Sequence, residues 1–230
     1  MPDILRIKDR LDSNSLTSAM PIHKWGGIAS FLLAASFIGA GLLYLIGNLR
    51  DRFGPFSYDF ADFLAGPGWA ASLVMAVFAL RERIGERAPN RMTFAFLISL
   101  LAAGAMVGVA CIRAANRHYH IIHPELHLES YSQVLTVWTT LVAGVTAAGY
   151  HFLGWALILI GSAAWSSHRL PRVLSLLYFV AGSTSLFVYL DSNLEGMAAF
   201  FIVVVSIWQG IQLLWIAPTV GKQIPDLKPT

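Results

Sequence analysis

Six apolar stretches that contain no charged residue alternate with short charged segments along the chain. They cover residues 25–49, 63–80, 92–112, 130–168, 173–190 and 196–221. About 20 apolar residues in a helix cross the roughly 30 Å hydrocarbon core of a bilayer, where a charged side chain is costly. Helices are favoured over strands because a helix satisfies its own backbone hydrogen bonds. The pattern therefore predicts an all-α polytopic membrane protein, a bundle of six transmembrane helices.

The predicted helices form one transmembrane domain, residues 25–217, between an N-terminal tail (1–24) and a C-terminal tail (218–230). The N-terminal tail is either an unstructured segment or a short interfacial helix. The predicted spans lie near residues 25–48, 60–80, 92–113, 133–165, 172–190 and 196–217.

Two of the spans have unusual lengths. The second helix starts either near Ser57 or later, with Pro67 in its first turn. The earlier start places Asp59 and Asp62 at the mouth of the helix. The fourth stretch has 39 charge-free residues, so we expect a long helix that projects beyond the bilayer or tilts strongly.

The positions of the few charged residues indicate which ends of the predicted helices face the cytoplasm. Only 13% of the 230 residues are charged, whereas 56% are hydrophobic. Alternate segments, beginning with the N-terminal tail, carry 12 of the 16 lysines and arginines, and positive residues accumulate in cytoplasmic loops. Both termini are therefore predicted to lie in the cytoplasm, in a multi-pass membrane protein. The net charge of +3 follows from this topology, with the lipid bilayer as partner and no nucleic acid.

The predicted third loop carries an unusual density of histidine on the outer side. Histidine is the commonest metal ligand near neutral pH, and a mixed histidine and carboxylate set suits a divalent zinc, copper, iron or nickel ion. His118 and His120 would share a face if the segment were extended. The alternatives are a polar loop without metal and a pH sensor. The candidate ligands are His118, His120, His123 and His127, with Asp59 and Asp62 approaching from the second helix.

A second candidate cluster lies within the predicted membrane spans. His151 belongs to the fourth span, while Gln209 and Gln212 are three residues apart in the sixth and share a helix face. A neutral histidine in a bilayer needs a hydrogen-bond partner. The three side chains either line a small cavity or proton path or tie the helices together.

Small and aromatic residues predict how the helices pack. Gly104 and Gly108 form a GxxxG pair in the third span, which serves either helix packing within the chain or a homodimer. Tryptophans such as Trp69 fall near predicted span ends, as in an aromatic belt. The single cysteine, Cys111, is interpreted as a buried small hydrophobe.

The C-terminal half resembles a family of bacterial six-helix integral membrane proteins whose domain has no assigned function. The resemblance covers about residues 145–217. It is carried by the stretches His151–Leu157, His168–Arg172, Ala181–Gly182 and Gln212–Trp215. It implies the six-helix fold, the topology and a location in a bacterial inner membrane, and it implies no activity.

Two classes of function remain open at this point. The first is a non-enzymatic membrane protein that senses, binds or supports a partner, including another membrane protein. The second is a small membrane enzyme, or a metal or small-molecule transporter, that uses the outer histidines and aspartates. Signatures of soluble enzymes, such as a nucleophile elbow or a phosphate-binding loop, do not occur in the sequence.

Overall fold

The structure, a computed structural model, describes residues 21–50, 54–122 and 131–215. These residues are helical apart from short turns. The predicted tails therefore lie outside the described residues, except for positions 21–24. The α-helices are α1 (Ile22–Arg50), α2 (Gly54–Phe63), α3 (Trp69–Ile84), α4 (Pro89–Ile122), α5 (Tyr131–Ser167), α6 (Arg172–Phe187) and α7 (Glu195–Trp215).

Five helical segments are long and apolar enough to cross a membrane. They cover residues 22–47, 57–84, 89–119, 136–167 and 192–215. Helix α6 is also apolar, but it has only 16 residues. The all-helical class predicted from the sequence is therefore confirmed, and the five apolar segments are consistent with a multi-pass membrane protein.

Helices α2 and α3 form one continuous segment across a proline. Residues Leu64–Gly68 form a wider π-helical turn that contains Pro67. Proline lacks the N–H that a regular α-helix uses at this position, and a local π-turn is one way for the chain to continue past it. The segment therefore begins before Pro67, with Asp59 and Asp62 in its first turns.

The helical segments pack side by side in a closed ring. Helix α1 contacts α3 and α7, α4 contacts α3 and α5, and α6 contacts α5 and α7. The interior of the ring is filled with apolar side chains. The largest fully buried ones include Trp69, Leu80, Leu153, Tyr178 and Ile202.

The bundle has two chemically different ends. The arginine-rich end comprises Arg81, Arg83, Arg87, Arg91, Arg169 and Arg172. The opposite end, called the Asp62 end below, comprises Tyr44, Asp59, Asp62, Arg113, Arg117, His118 and Glu195.

Two arginines of the arginine-rich end donate hydrogen bonds to carbonyls at the C-terminal ends of two helices. The Arg83 side chain donates to the carbonyl of Gln212 in the last turn of α7 at 2.7 Å. Arg87 donates to the carbonyl of Ser167, the last residue of α5, at 2.8 Å. The last carbonyls of a helix lack partners within the helix. These two arginines therefore stabilise the C-terminal ends of α7 and α5.

Glycine allows one pair of helices to approach closely. A Cβ added at Gly154 of α5 would lie 2.7 Å from the carbonyl oxygen of Gly182 in α6, which is shorter than any ordinary contact. Gly104 and Gly144 differ, because a Cβ at either position would meet no atom within 4 Å. Gly154 therefore packs within the chain, whereas Gly104 and Gly144 face open space.

Two sequence expectations about individual side chains are wrong. Trp69 does not belong to an interfacial belt, since it is fully buried and its ring lies 5.7 Å from that of Phe37. The reason is the early start of the second segment, which places Trp69 well inside the bundle. Cys111 is exposed rather than buried, because it lies on the outward face of α4.

Candidate functional site

Two aspartates of α2 face two arginines of α4 at the Asp62 end. Asp59 and Asp62 are three residues apart, and Arg113 and Arg117 are four apart, so each pair shares one helix face. Arg117 donates to Asp59 Oδ1 through Nε at 2.9 Å and through Nη2 at 2.7 Å. The same Nη2 lies 2.5 Å from Asp62 Oδ2. One guanidinium therefore joins two carboxylates.

The network extends to α1 through a tyrosine. The Tyr44 hydroxyl donates to Asp62 Oδ1 and accepts from Arg113 Nη1 at 3.1 Å. Arg113 Nη1 also lies 3.5 Å from Asp62 Oδ1. The side chain of Asp62 is only 3% exposed, so its charge is buried and depends on these partners.

A cavity of about 410 Å³ opens beside this network. Its walls come from α4, α5, the end of α6 and the start of α7, so residues far apart in sequence meet there. Its volume falls within the range of small-molecule sites. Polar and charged lining residues are Arg113, Asn116, Thr139, Thr146, Ser192 and Glu195. Apolar lining residues are Trp138, Val142, Ala143, Ala147 and Val188.

Two polar atoms at the cavity wall are buried without a hydrogen-bond partner in the described structure. They are Oδ1 of Asn116 and Oγ1 of Thr146. A buried polar atom without a partner costs free energy, and native structures satisfy most such atoms with protein or water. Both atoms belong to residues that line the cavity, so each lies close to the cavity surface.

A smaller cavity of about 60 Å³ connects this wall with the ion-pair network. It shares Arg113, Thr146 and Glu195 with the larger cavity and adds Asp62 and Tyr150. The network and the larger cavity are therefore neighbours, with Arg113 common to both. Arg113 uses only Nη1 in its hydrogen bond and ion pair with the described residues.

The structure brings together only part of the predicted metal site. Asp59 lies near His118, with 4.0 Å between Asp59 Oδ2 and His118 Nε2. The carboxylates of Asp59 and Asp62, however, are occupied by Arg117. The described residues contain no group of three potential metal ligands.

The histidine loop itself is mostly outside the described residues. His123 and His127 lie there, and only the backbone placement of His120 is described. Positions 118 and 120 both belong to α4. The extended geometry that would place them on one face is therefore absent.

The three predicted intramembrane polar residues have separate partners. His151 Nε2 accepts from the indole N–H of Trp155 at 3.2 Å. Gln209 accepts from the Tyr178 hydroxyl at 2.5 Å and is buried. Gln212 is buried, and its main-chain carbonyl accepts a hydrogen bond from Arg83 at the arginine-rich end. Gln209 ties α7 to α6.

Sequence reasoning missed the residues that line the cavity. None of Arg113, Asn116, Thr146 and Glu195 was predicted as a site residue. A signal exists on α5, since Thr139 and Thr146 are seven residues apart and share a face. The sequence does not indicate which helices would enclose that face.

Comparison with protein-family models, curated proteins and solved structures finds no match to this chain. The family resemblance of residues 145–217 therefore stays a prediction. The site itself is the basis for any statement about function.

Proposed function

We propose that the chain is a bacterial inner-membrane protein that crosses the bilayer six times and binds a small ligand in the cavity at the Asp62 end. The sixth crossing is helix α6, whose 16 residues span about 24 Å at 1.5 Å per residue. Apolar residues Val188–Leu190 extend it. The positive residues concentrated at the arginine-rich end favour a cytoplasmic position for that end and for both termini.

The observation that carries the proposal is the pair of unpartnered polar atoms at the cavity wall. Asn116 Oδ1 and Thr146 Oγ1 are buried, and a cavity of about 410 Å³ lies against them. Ligand sites combine mostly apolar walls with a few convergent polar groups, and this cavity has that composition. Each polar atom would gain a hydrogen bond when its side chain turns toward a bound ligand.

The charges at the cavity favour a ligand with an acidic group. Arg113 presents a guanidinium, which binds carboxylates and phosphates through several N–H donors, and its Nε and Nη2 are not used in the network. Glu195 lines the same cavity and would accept a hydrogen bond from a donor on the ligand. Trp138 and Val142 supply apolar contact. A small acid with an apolar body and a second polar group fits this arrangement.

Binding or sensing is favoured over catalysis. The described residues that line the cavity include no histidine, cysteine or lysine, which are common nucleophiles and bases in enzymes. The alternative class, an enzyme or transporter that uses the outer histidines and aspartates, keeps the His118 and Asp59 proximity as its support. Its aspartates, however, are engaged by Arg117.

Thermal unfolding of the purified protein in detergent tests the proposal. A ligand that binds the folded state raises its stability by mass action. We expect carboxylates of four to eight carbons to raise the melting temperature and the corresponding neutral amides to raise it less. Thr146→Val, which removes the cavity hydroxyl, should reduce the shift.

Thr140→Val is the matched control, because Thr140 is on the same helix and its hydroxyl donates to the Thr136 carbonyl. It should keep the full shift. Equal shifts for acids and amides, or equal losses in both variants, would contradict a ligand site at this cavity.

A further inference from the structure

A second, apolar groove runs along the outside of the bundle between α3 and α4. Its volume is about 590 Å³. Pro67, Val74 and Phe78 line it from the α3 side, and Phe96 and Gly104 line it from α4. Gly104 is exposed in the groove, and a side chain there would meet no atom within 4 Å. The described lining is entirely apolar.

The length of the groove matches one leaflet of a bilayer. Pro67 in the π-turn and Phe78 in α3 are the first and last lining residues of this segment, and they are 11 residues apart. At 1.5 Å per residue this is about 16 Å. Half of a hydrocarbon core of about 30 Å is about 15 Å. The groove therefore has the length over which one acyl chain extends in a single leaflet.

The positively charged side chain of Arg81 lies at one end of the groove. The lining positions of α3 recur at helical spacing, and Arg81 is the next position of that stripe after Phe78. The Arg81 guanidinium carbon lies 5.8 Å from the ring centre of Phe96, which also lines the groove. Arg81 is therefore located where the groove reaches the arginine-rich end.

Arg81 differs from the neighbouring arginines, because no polar partner is found for it among the described residues. Arg83 and Arg87 donate to helix carbonyls, and Arg91 donates to the hydroxyls of Ser162 and Ser166. The interaction found for Arg81 within the described part of the chain is its contact with the Phe96 ring. Its N–H donors are available to a phosphate.

We propose that the groove binds an anionic phospholipid, with one acyl chain between α3 and α4 and the phosphate at Arg81. A second copy of the chain is the other candidate occupant, through Gly104 and Gly108. A symmetric dimer on this face brings identical patches together, so two Arg81 side chains would approach at the same depth. A lipid phosphate complements the charge that a second copy would repel.

Native mass spectrometry of the delipidated protein tests the site. The probes are phosphatidylglycerol and phosphatidylcholine with identical acyl chains. The wild-type protein should bind phosphatidylglycerol more tightly than phosphatidylcholine. Arg81→Gln should weaken phosphatidylglycerol binding about fivefold, the contribution of one basic residue at a membrane surface. Gly104→Leu, which fills the groove, should weaken the binding of both lipids.

Arg172→Gln is the matched control, because Arg172 also lies over an aromatic ring at the arginine-rich end, 6.0 Å from the centre of Trp165. It should bind phosphatidylglycerol like wild type. Unchanged binding in both Arg81→Gln and Gly104→Leu, with melting temperatures near wild type, would overturn the proposal. So would a lipid-free dimer that Gly104→Leu dissociates, since a second copy would then occupy the groove.

Discussion

Arg117 Nη2 lies 2.7 Å from Asp59 Oδ1 and 2.5 Å from Asp62 Oδ2, so one guanidinium holds two carboxylates on successive turns of α2. The two aspartates differ in burial, because the Asp59 side chain is 35% exposed and that of Asp62 is 3% exposed. Removing one partner of a buried ion pair leaves an uncompensated charge. Loss of the Asp62 carboxylate and loss of the Asp59 carboxylate should therefore lower the free energy of unfolding by different amounts.

We expect Asp62→Asn to lower the free energy of unfolding by about 3 kcal/mol, the lower part of the range for a broken buried pair. Arg117 is 21% exposed, which keeps the loss from being larger. Thermal and denaturant unfolding in detergent measures it. Asp59→Asn should cost clearly less, since solvent screens that carboxylate. Equal losses in the two variants would show that Asp62 is not the buried centre of the network.

The close contact of α5 and α6 predicts the effect of a single added methyl group. Gly154→Ala would place a Cβ 2.7 Å from the Gly182 carbonyl oxygen and 2.9 Å from the Leu186 backbone nitrogen. Backbone atoms cannot move aside as a flexible side chain can, so we expect overpacking that costs about 1–3 kcal/mol.

Gly144→Ala is the control on the same helix, because a Cβ there meets no atom within 4 Å. It should leave the melting temperature unchanged or raise it slightly, since alanine favours helix over glycine. A loss in Gly144→Ala as large as in Gly154→Ala would contradict this packing.

Single-cysteine labelling tests the proposed orientation. In a Cys111→Ala background, Ser192→Cys reports on the Asp62 end and Glu86→Cys on the arginine-rich end, where the Glu86 side chain is 80% exposed. A membrane-impermeant maleimide should label Ser192→Cys in intact spheroplasts and Glu86→Cys in inverted vesicles. The reverse pattern would place the arginine-rich end outside.

Metal content tests the histidine hypothesis separately from the cavity. Two of its six candidate ligands, Asp59 and Asp62, are bound by Arg117. We therefore expect protein purified without added metal to hold well below one equivalent of zinc, copper, iron or nickel. One full equivalent that is lost in the His120→Ala and His123→Ala variants would establish the site and contradict this expectation.

The sequence predicted the helices well because each helix depends on the composition of its own stretch of the chain. A charge-free apolar stretch must form a helix in a bilayer to satisfy its backbone, and each of the six stretches lies largely within a helical segment of the structure. The alternatives left at Pro67 were decided by the π-turn, which lets the helix continue past the proline. Trp69 was misplaced for the same reason.

The cavity was not predictable from the sequence, because it depends on which helices become neighbours in the folded ring. Arg113 and Glu195 are 82 positions apart, and they meet only because α4, α5 and the start of α7 enclose one space. His151 and Gln209 were grouped as polar residues in apolar spans. Helix packing gave each a different partner, Trp155 and Tyr178 respectively.

Protection of one engineered thiol from alkylation tests whether a ligand binds at the cavity. In the Cys111→Ala background, Ala143→Cys places the thiol at the cavity wall, and Thr140→Cys places it on the same helix outside the lining. The alkylation rate of each is measured with and without the carboxylate that raises the melting temperature most. We expect slower alkylation of Ala143→Cys with the carboxylate, little effect of the matching amide, and an unchanged rate at Thr140→Cys. An unchanged rate at Ala143→Cys, or equal slowing at both positions, would contradict ligand binding at the cavity.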